Sequence, residues 1–383
     1  MKILIITSTR ADFGLLKNLI VQIRKLKYFK SKLLVTGSHL SKRFGYTVND
    51  IKNNNIFINK KIKLKNMSNQ STDLINDTSK LSIKLSRYLK KENPNLVLIL
   101  GDRFEILNCA LVAYLNRISI AHIQGGEVTM GSLDDSLRHC ISKLSSFHFV
   151  AHTKYKKRLI QLGEKSDTIF VVGGLGAENI KKNKLLSKKI IEKKFKFKFK
   201  EKNIIVNIQP VTNNAIETKK IMDETLKALS IFKDCLIIFT YPGVDLENGL
   251  IIKKIKKFVR DNDNSLLIKS FGDTYYYSFL NNVDFMIGNS SSGILEMPSF
   301  NKYTINIGTR QLGRLQAKSI SNIKPNKEKI ISKIKNIYLI KKIKKTIFQN
   351  PYYKYNTTSN IISILKKLKL QNIKNKKFID IKF

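Results

Sequence analysis

Short apolar runs punctuate the chain from end to end, and after most of them the pattern changes to apolar positions three and four apart. Lys2–Thr7, Leu33–Thr36, Asn95–Leu100, Ile118–Ile123, Phe147–Ala151 and Ile169–Val172 read as buried strands. Helical spacing runs from about Leu15 to Leu26, over Ser71–Lys91 ahead of Pro94, through Leu133, Leu137, Ile141 and Leu144, and over Lys154–Leu162. A second series opens at Asn203. Its strands are predicted at Ile204–Ile208, Leu236–Thr240, Leu266–Ile268, Val283–Ile287 and Tyr303–Ile307. The alternation predicts an α/β protein with two parallel sheets. Residues 181–202 are Lys-rich with few apolar anchors and read as an interdomain connection, which divides the chain into 1–180 and 181–383. Lys327–Lys345 and Thr358–Leu370 read as helices, and the Lys-rich tail as a solvated face.

Ligands of such sheets bind beyond the carboxyl ends of the strands, so the turns carry the candidate chemistry. The first turn, Ser8-Thr9-Arg10-Ala11-Asp12-Phe13-Gly14, opens a helix whose N–H groups favour an anion. Arg10 could clamp a phosphate or pair on the surface with Asp12, and the stretch alone fits both. Gly101, Asp102 and Arg103 follow the third strand directly, where Asp102 also suits a helix cap. After Ile118–Ile123 the chain breaks at Gly125-Gly126 and presents Glu127. It then opens a helix on Asp134 and Asp135, which fit ligand chemistry and dipole pairing equally. In the second series, Gly288-Asn289-Ser290-Ser291-Ser292-Gly293-Ile294-Leu295-Glu296 ends a strand in small and hydroxyl residues. That density favours phosphate binding over a plain Ser-capped helix start. Gly173-Gly174-Leu175-Gly176 lacks the spacing of a dinucleotide loop.

Length and charge narrow the classes. A chain of 383 residues suits two domains. Its 71 Lys and Arg against 28 Asp and Glu give a net charge of +43. The basic residues are spread through the chain instead of forming a patch, which argues against nucleic acid, but they would attract an anionic substrate such as a nucleotide sugar. Cys109, Cys140 and Cys235 form no C-x-x-C pair and read as buried free thiols of a reducing compartment. The start, MKILIITSTR, is too short for a signal-peptide core, and no apolar run reaches membrane-span length, so a cytoplasmic protein without membrane association is expected. The five histidines form no metal motif, His122 reads as buried or hydrogen-bonded, and neither a G-x-S-x-G elbow nor a Walker loop occurs. Three loop acids remain, Asp102, Glu127 and Asp134, with a phosphate-like turn in the other half. The acids suit general acid–base work on a sugar.

The ordered set Thr9-Arg10-Ala11-Asp12, Gly101-Asp102-Arg103-Phe104-Glu105, His122-Ile123-Gln124-Gly125-Gly126-Glu127, Asp134-Asp135-Ser136-Leu137-Arg138-His139, Gly288-Asn289-Ser290-Ser291-Ser292-Gly293 and Ile307-Gly308-Thr309-Arg310-Gln311 resembles the hydrolysing UDP-N-acetylglucosamine 2-epimerases of sialic and legionaminic acid synthesis. The resemblance covers nearly the whole chain. It implies two Rossmann-like domains of the glycosyltransferase-B type, an active site in the interdomain cleft, and a last helix packing back on the first domain. It also implies a homodimer or homotetramer with no metal and no redox cofactor. The family reaction removes the C2 proton, eliminates the nucleoside diphosphate to a 2-acetamidoglucal, and adds water with inverted stereochemistry. By motif, Asp102, Glu127 and Asp134 would share the acid–base work. Arg10, Ser290 and Ser291 would hold the diphosphate, Glu296 the ribose, and Arg310 the nucleotide, with Arg103 a further contact. Two departures concern the nucleotide side. Gln209-Pro210 stands where the family usually has His-Pro, and Gln can donate to a phosphate but cannot carry a charge. Pro242-Gly243-Val244-Asp245 stands where Pro-Asn is common.

Overall fold

The computed structural model describes residues 1–65, 71–212, 214–243, 248–269, 271–343, 347–370 and 376–381. Seven strands form one parallel sheet: β1 (Lys2–Thr7), β2 (Lys30–Val35), β3 (Lys60–Lys61), β4 (Leu96–Leu100), β5 (Ser119–Ile123), β6 (Phe147–Val150) and β7 (Ile169–Val171). Their order is β3-β2-β1-β4-β5-β6-β7. Six more form a second parallel sheet: β8 (Lys202–Asn207), β9 (Cys235–Thr240), β10 (Ser265–Ile268), β11 (Phe285–Gly288), β12 (Tyr303–Ile307) and β13 (Ile320–Ile323). Their order is β10-β9-β8-β11-β12-β13. In each sheet the direction of winding reverses once, between β1 and β4 and between β8 and β11. At these switch points the connecting helices leave on opposite faces and a crevice opens at the carboxyl edge.

The register at the second switch point depends on a glycine. Gly288 pairs with Asn207, and a Cβ on Gly288 would lie 2.0 Å from the Asn207 carbonyl oxygen. Its φ of +141° is also one that side chains disfavour. Central strands are buried throughout, as in Leu96–Leu100 and Cys235–Thr240. That explains why they read as continuous apolar runs instead of alternating ones.

The chain forms two compact units. The first comprises Met1–Glu127, Asp134–Asn179 and Tyr352–Phe383, and the second Val128–Leu133 and Ile180–Pro351. The helix Thr357–Lys367 adds Ile361, Ile362 and Leu365 to the core of the first unit, beside Phe13, Leu16 and Ile20. Glu178 fastens it by accepting from the Thr358 amide at 2.9 Å and from the Thr358 hydroxyl. Gly174 N donates to Tyr352 O, so the Gly173-Gly174-Leu175-Gly176 turn serves packing.

Several local expectations change. The first helix begins at Arg10, because Thr9 and Asp12 form a reciprocal capping box. Residues 181–202 are anchored after all: Lys188–Phe195 is a helix, and Ile191, Phe195, Phe197 and Phe199 join the second unit's core around Phe279. The helix after Glu127 runs Asp134–Leu144 and buries Arg138, Ile141 and Ser142, whereas Leu133 precedes it and is exposed. Cys109 and Cys235 are buried, but Cys140 is exposed. The tail is not wholly solvated either, since Lys376 Nζ reaches Glu164 Oε2 at 2.7 Å. The strands β3 and β13 add two edges that the apolar pattern did not mark.

Candidate active site

In the first unit the candidate residues stand on the turns around the β1/β4 switch point. Asp102 follows β4. The cap position of the next helix, Phe104–Leu115, is Arg103, one residue further on. Asp102 Oδ2 receives Arg138 Nε at 3.0 Å and Arg138 Nη2. Arg138 Nη1 donates to Glu127 O at 3.0 Å and to Asp135 Oδ1 at 3.1 Å. Arg138 is 1% exposed. Burial alone would lower its pKa, but the charges of Asp102, Glu127 and Asp135 prevail and raise it. One buried guanidinium thus ties the turn after β4 to the Glu127 turn and to the start of the helix that Asp134 opens. Glu127 is itself buried.

The backbone of the Asp102 turn is held from below. His122 Nε2 lies 2.7 Å from Gly101 O, and His122 Nδ1 lies 3.1 Å from Ser142 Oγ. A carbonyl can only accept, so Nε2 carries a proton. Burial favours the neutral ring, taking the His122 pKa down to about 3. Gly126 closes the neighbouring turn at φ +74°, where a Cβ would meet Tyr155 O at 2.6 Å.

Arg10 opens its helix half-buried. Asp12 faces its own loop, accepting from Ser8 N at 2.8 Å and Thr9 N at 2.6 Å. Arg103 Nε stands 3.6 Å from Glu105 Oε2. Glu105 is wholly buried and neither of its oxygens has a hydrogen-bond partner. Burial holds this carboxyl above the usual carboxylate range, against the opposing charge of Arg103. Sequence reasoning singled out neither Arg138 nor Glu105 as a site residue. The available signals were the i, i+3 spacing of Asp135 and Arg138 and the place of Glu105 in the first turn of an apolar helix.

In the second unit the candidates gather at the β8/β11 switch point. Asn289 Oδ1 accepts from Gln209 N at 2.7 Å, and Asn289 Nδ2 donates to Gln209 O at 2.8 Å, clamping the two loops together. Ser290 caps the helix Ser291–Leu295 by accepting from Ser292 N. Arg310 Nε donates to Pro210 O at 3.1 Å and its Nη1 to Asn289 O at 3.4 Å. Gln209 is more engaged than a free phosphate donor would be. Its Oε1 accepts from Gly243 N at 2.7 Å, so the two departures from the family pattern touch each other. Val244 and Asp245 lie outside the described residues. Val128–Leu133 belongs here, with Met130 N on Leu312 O and Leu133 N on Thr212 Oγ1. Among the described residues no group of three His, Cys, Asp or Glu could hold a metal ion.

Two parallel-sheet α/β domains, each with polar turns at its switch point, are the parts of a glycosyltransferase-B type fold. The chain belongs to the UDP-N-acetylglucosamine 2-epimerase family, whose model matches residues 21–366, and to its hydrolysing branch. It is 39% identical over 321 residues to the GDP/UDP-N,N'-diacetylbacillosamine 2-epimerase (hydrolyzing) of Campylobacter jejuni, covering 83% of each chain. It is 33% identical to the polysialic acid biosynthesis protein P7 of Escherichia coli, covering 99% of this chain and 97% of that one. The crystal structure of UDP-GlcNAc 2-epimerase from Neisseria meningitidis bound to UDP-GlcNAc has the same fold, with a TM-score of 0.82 at 20% identity, covering 96% of this chain and all (100%) of that one. No helix among the described residues is long and apolar enough to cross a membrane.

Proposed function

We propose that the protein hydrolyses a nucleotide-linked 2-acetamido sugar with inversion at C2, releasing a manno-configured sugar and a nucleoside diphosphate for nonulosonic acid synthesis. The observation that carries the reading is the Arg138-centred cluster, which gathers Asp102, Asp135 and the Glu127 turn and adjoins Asp134. One carboxylate takes the C2 proton, and the electron pair forms the C1–C2 double bond as the C1–O bond to the diphosphate breaks. A second carboxylic acid then delivers a proton to C2 from the opposite face while water adds at C1 and gives up a proton to the released diphosphate or the solvent. Arg138 pairs with the Asp102 carboxylate but grips Glu127 only through its backbone carbonyl, so the carboxyl groups sit in different surroundings, as a base and an acid require. Asp102, Glu127 and Asp134 carry these roles. Arg10, Arg103, Ser290, Ser291 and Arg310 hold the diphosphate and nucleotide, Gln209 braces their loop, and Glu296 takes the ribose.

The name of the Campylobacter relative supports N,N'-diacetylbacillosamine linked to UDP or GDP as the sugar. UDP-N-acetylglucosamine, supported by the family description, is the second substrate to test. The protein would work in the cytoplasm as a homodimer or homotetramer, which light scattering would establish.

The test is an NMR time course in heavy water with each of these nucleotide sugars. The expected result is a free manno sugar deuterated at C2, together with nucleoside diphosphate. Asp102→Asn, Glu127→Gln and Asp134→Asn should each lower kcat by roughly 100- to 10,000-fold. Nucleotide binding without release of sugar from any of them would rule the reading out.

A further inference from the structure

A chain of hydrogen bonds crosses the carboxyl edge of the second sheet and ends on Glu296. Gln209 Nε2 donates to Asn207 Oδ1 at 2.7 Å. Asn207 Nδ2 donates to Tyr276 Oη at 3.5 Å. Tyr276 Oη lies 2.5 Å from Ser292 Oγ, and Ser292 Oγ donates to Glu296 Oε2 at 2.5 Å. The donor inventory sets the direction. The single proton of Ser292 is committed to the carboxylate, so its oxygen must accept from Tyr276, and Tyr276 in turn can only accept from Asn207. Each donor therefore points toward Glu296, an arrangement that favours the ionised carboxylate and fixes which oxygen faces inward. Asn207 and Ser292 are 7% and 8% exposed, so water competes little for these bonds. The chain also joins elements that are distant in sequence: the end of β8, the helix Asp273–Asn282 that bears Tyr276, and the turn after β11.

We infer that Tyr276 and Ser292 are positioning residues that set the orientation in which the Glu296 carboxylate takes the ribose hydroxyls of the nucleotide. The inference rests on the proposed role of Glu296. Tyr276 touches no nucleotide in this scheme. It acts through Ser292, and Gln209 and Asn207 brace it from behind. A carboxylate that must accept two vicinal hydroxyls tolerates little rotation, which gives the chain its purpose.

Calorimetric titration of the full protein with UDP and with GDP tests this, alongside steady-state kinetics on the preferred sugar nucleotide. Tyr276→Phe should weaken nucleotide binding by about tenfold. The loss should fall on KM more than on kcat. Ser292→Ala should behave alike, and Ser292→Thr, which restores the hydroxyl, should recover part of the loss. In a Glu296→Gln background, Tyr276→Phe should cost little more, because the partner it orients is already altered. Unchanged nucleotide affinity in Tyr276→Phe and Ser292→Ala would overturn the inference. Full additivity with Glu296→Gln, or wild-type protein that binds neither UDP nor GDP, would do the same. If nucleotide binds and responds as expected but no sugar is released, the proposed reaction fails while the orienting chain stands.

Discussion

Arg138 places a wholly buried positive charge among Asp102, Asp135 and the Glu127 carbonyl. Removing one side of a buried ion network leaves the other side uncompensated, so Arg138→Leu should destabilise the protein by about 3–5 kcal/mol. Urea unfolding measures it, and a loss below about 1 kcal/mol would show the carboxylates to be stabilised some other way. His122 makes a second residue-scale prediction. Its pKa in the folded protein lies near 3, below the usual value of 6.5, so the unfolded chain takes up a proton that the folded one refuses. The stability it supplies is present above about pH 6.5 and is lost as pH falls toward 3. Unfolding midpoints at neutral pH and near pH 4 should therefore converge in His122→Asn relative to wild type. Parallel losses in the two proteins would refute that assignment. The acids of the Asp102 and Glu127 turns were legible because strand ends followed by Gly and Asp or Glu are an edge pattern. The cation that joins them was not, since nothing in the sequence tells which acids Arg138 meets.

At the scale of elements, the packing of β8 against β11 depends on the missing side chain of Gly288. Gly288→Ala would drive a methyl group into the Asn207 carbonyl, which only a strand shift can relieve. The expected cost exceeds about 2 kcal/mol, with loss of nucleotide affinity because Asn289 and Ser290 follow directly. A denaturation midpoint within error of wild type would mean the strands separate without penalty. Helix starts were less legible than strands. The Thr9–Asp12 capping box moves the first helix forward to Arg10, and Arg103 occupies a cap position that Asp102 had seemed suited to fill. Local capping chemistry offers several equivalent starts a residue or two apart, and only the tertiary partners choose among them.

For the whole molecule, a net charge of +43 raises the local concentration of an anionic substrate. KM for a nucleotide sugar should rise several-fold between low salt and roughly 0.3 M salt, as screening shortens the reach of that field. The turnover number should hold nearly constant. A KM indifferent to salt would show that the charge plays no part in capture. The C-terminal helix Thr357–Lys367 supplies Ile361, Ile362 and Leu365 to the core of the first unit. Ile361→Ala should accordingly cost about 2–5 kcal/mol, measured as a loss in urea unfolding, and a neutral effect would place that helix outside the cooperative core.

The apolar runs were enough to specify two parallel α/β sheets, because strands buried on both faces must be apolar along their length and the helices between them must show one apolar side. They also marked which turns lie at the carboxyl ends of the strands. The strand order, and with it the two switch points, came only from the fold, since pairing between β1 and β4 or β8 and β11 is a long-range contact with no local signature. The assignment of Val128–Leu133 to the second unit was settled in the same way, whereas the return of the last helix to the first unit was an expectation of the family resemblance. The partners of Arg138, Gln209 and Tyr276 also came only from the fold. A polar side chain states in sequence only what it can donate or accept, and its partner is decided by which distant turns the packed sheets bring within hydrogen-bond reach.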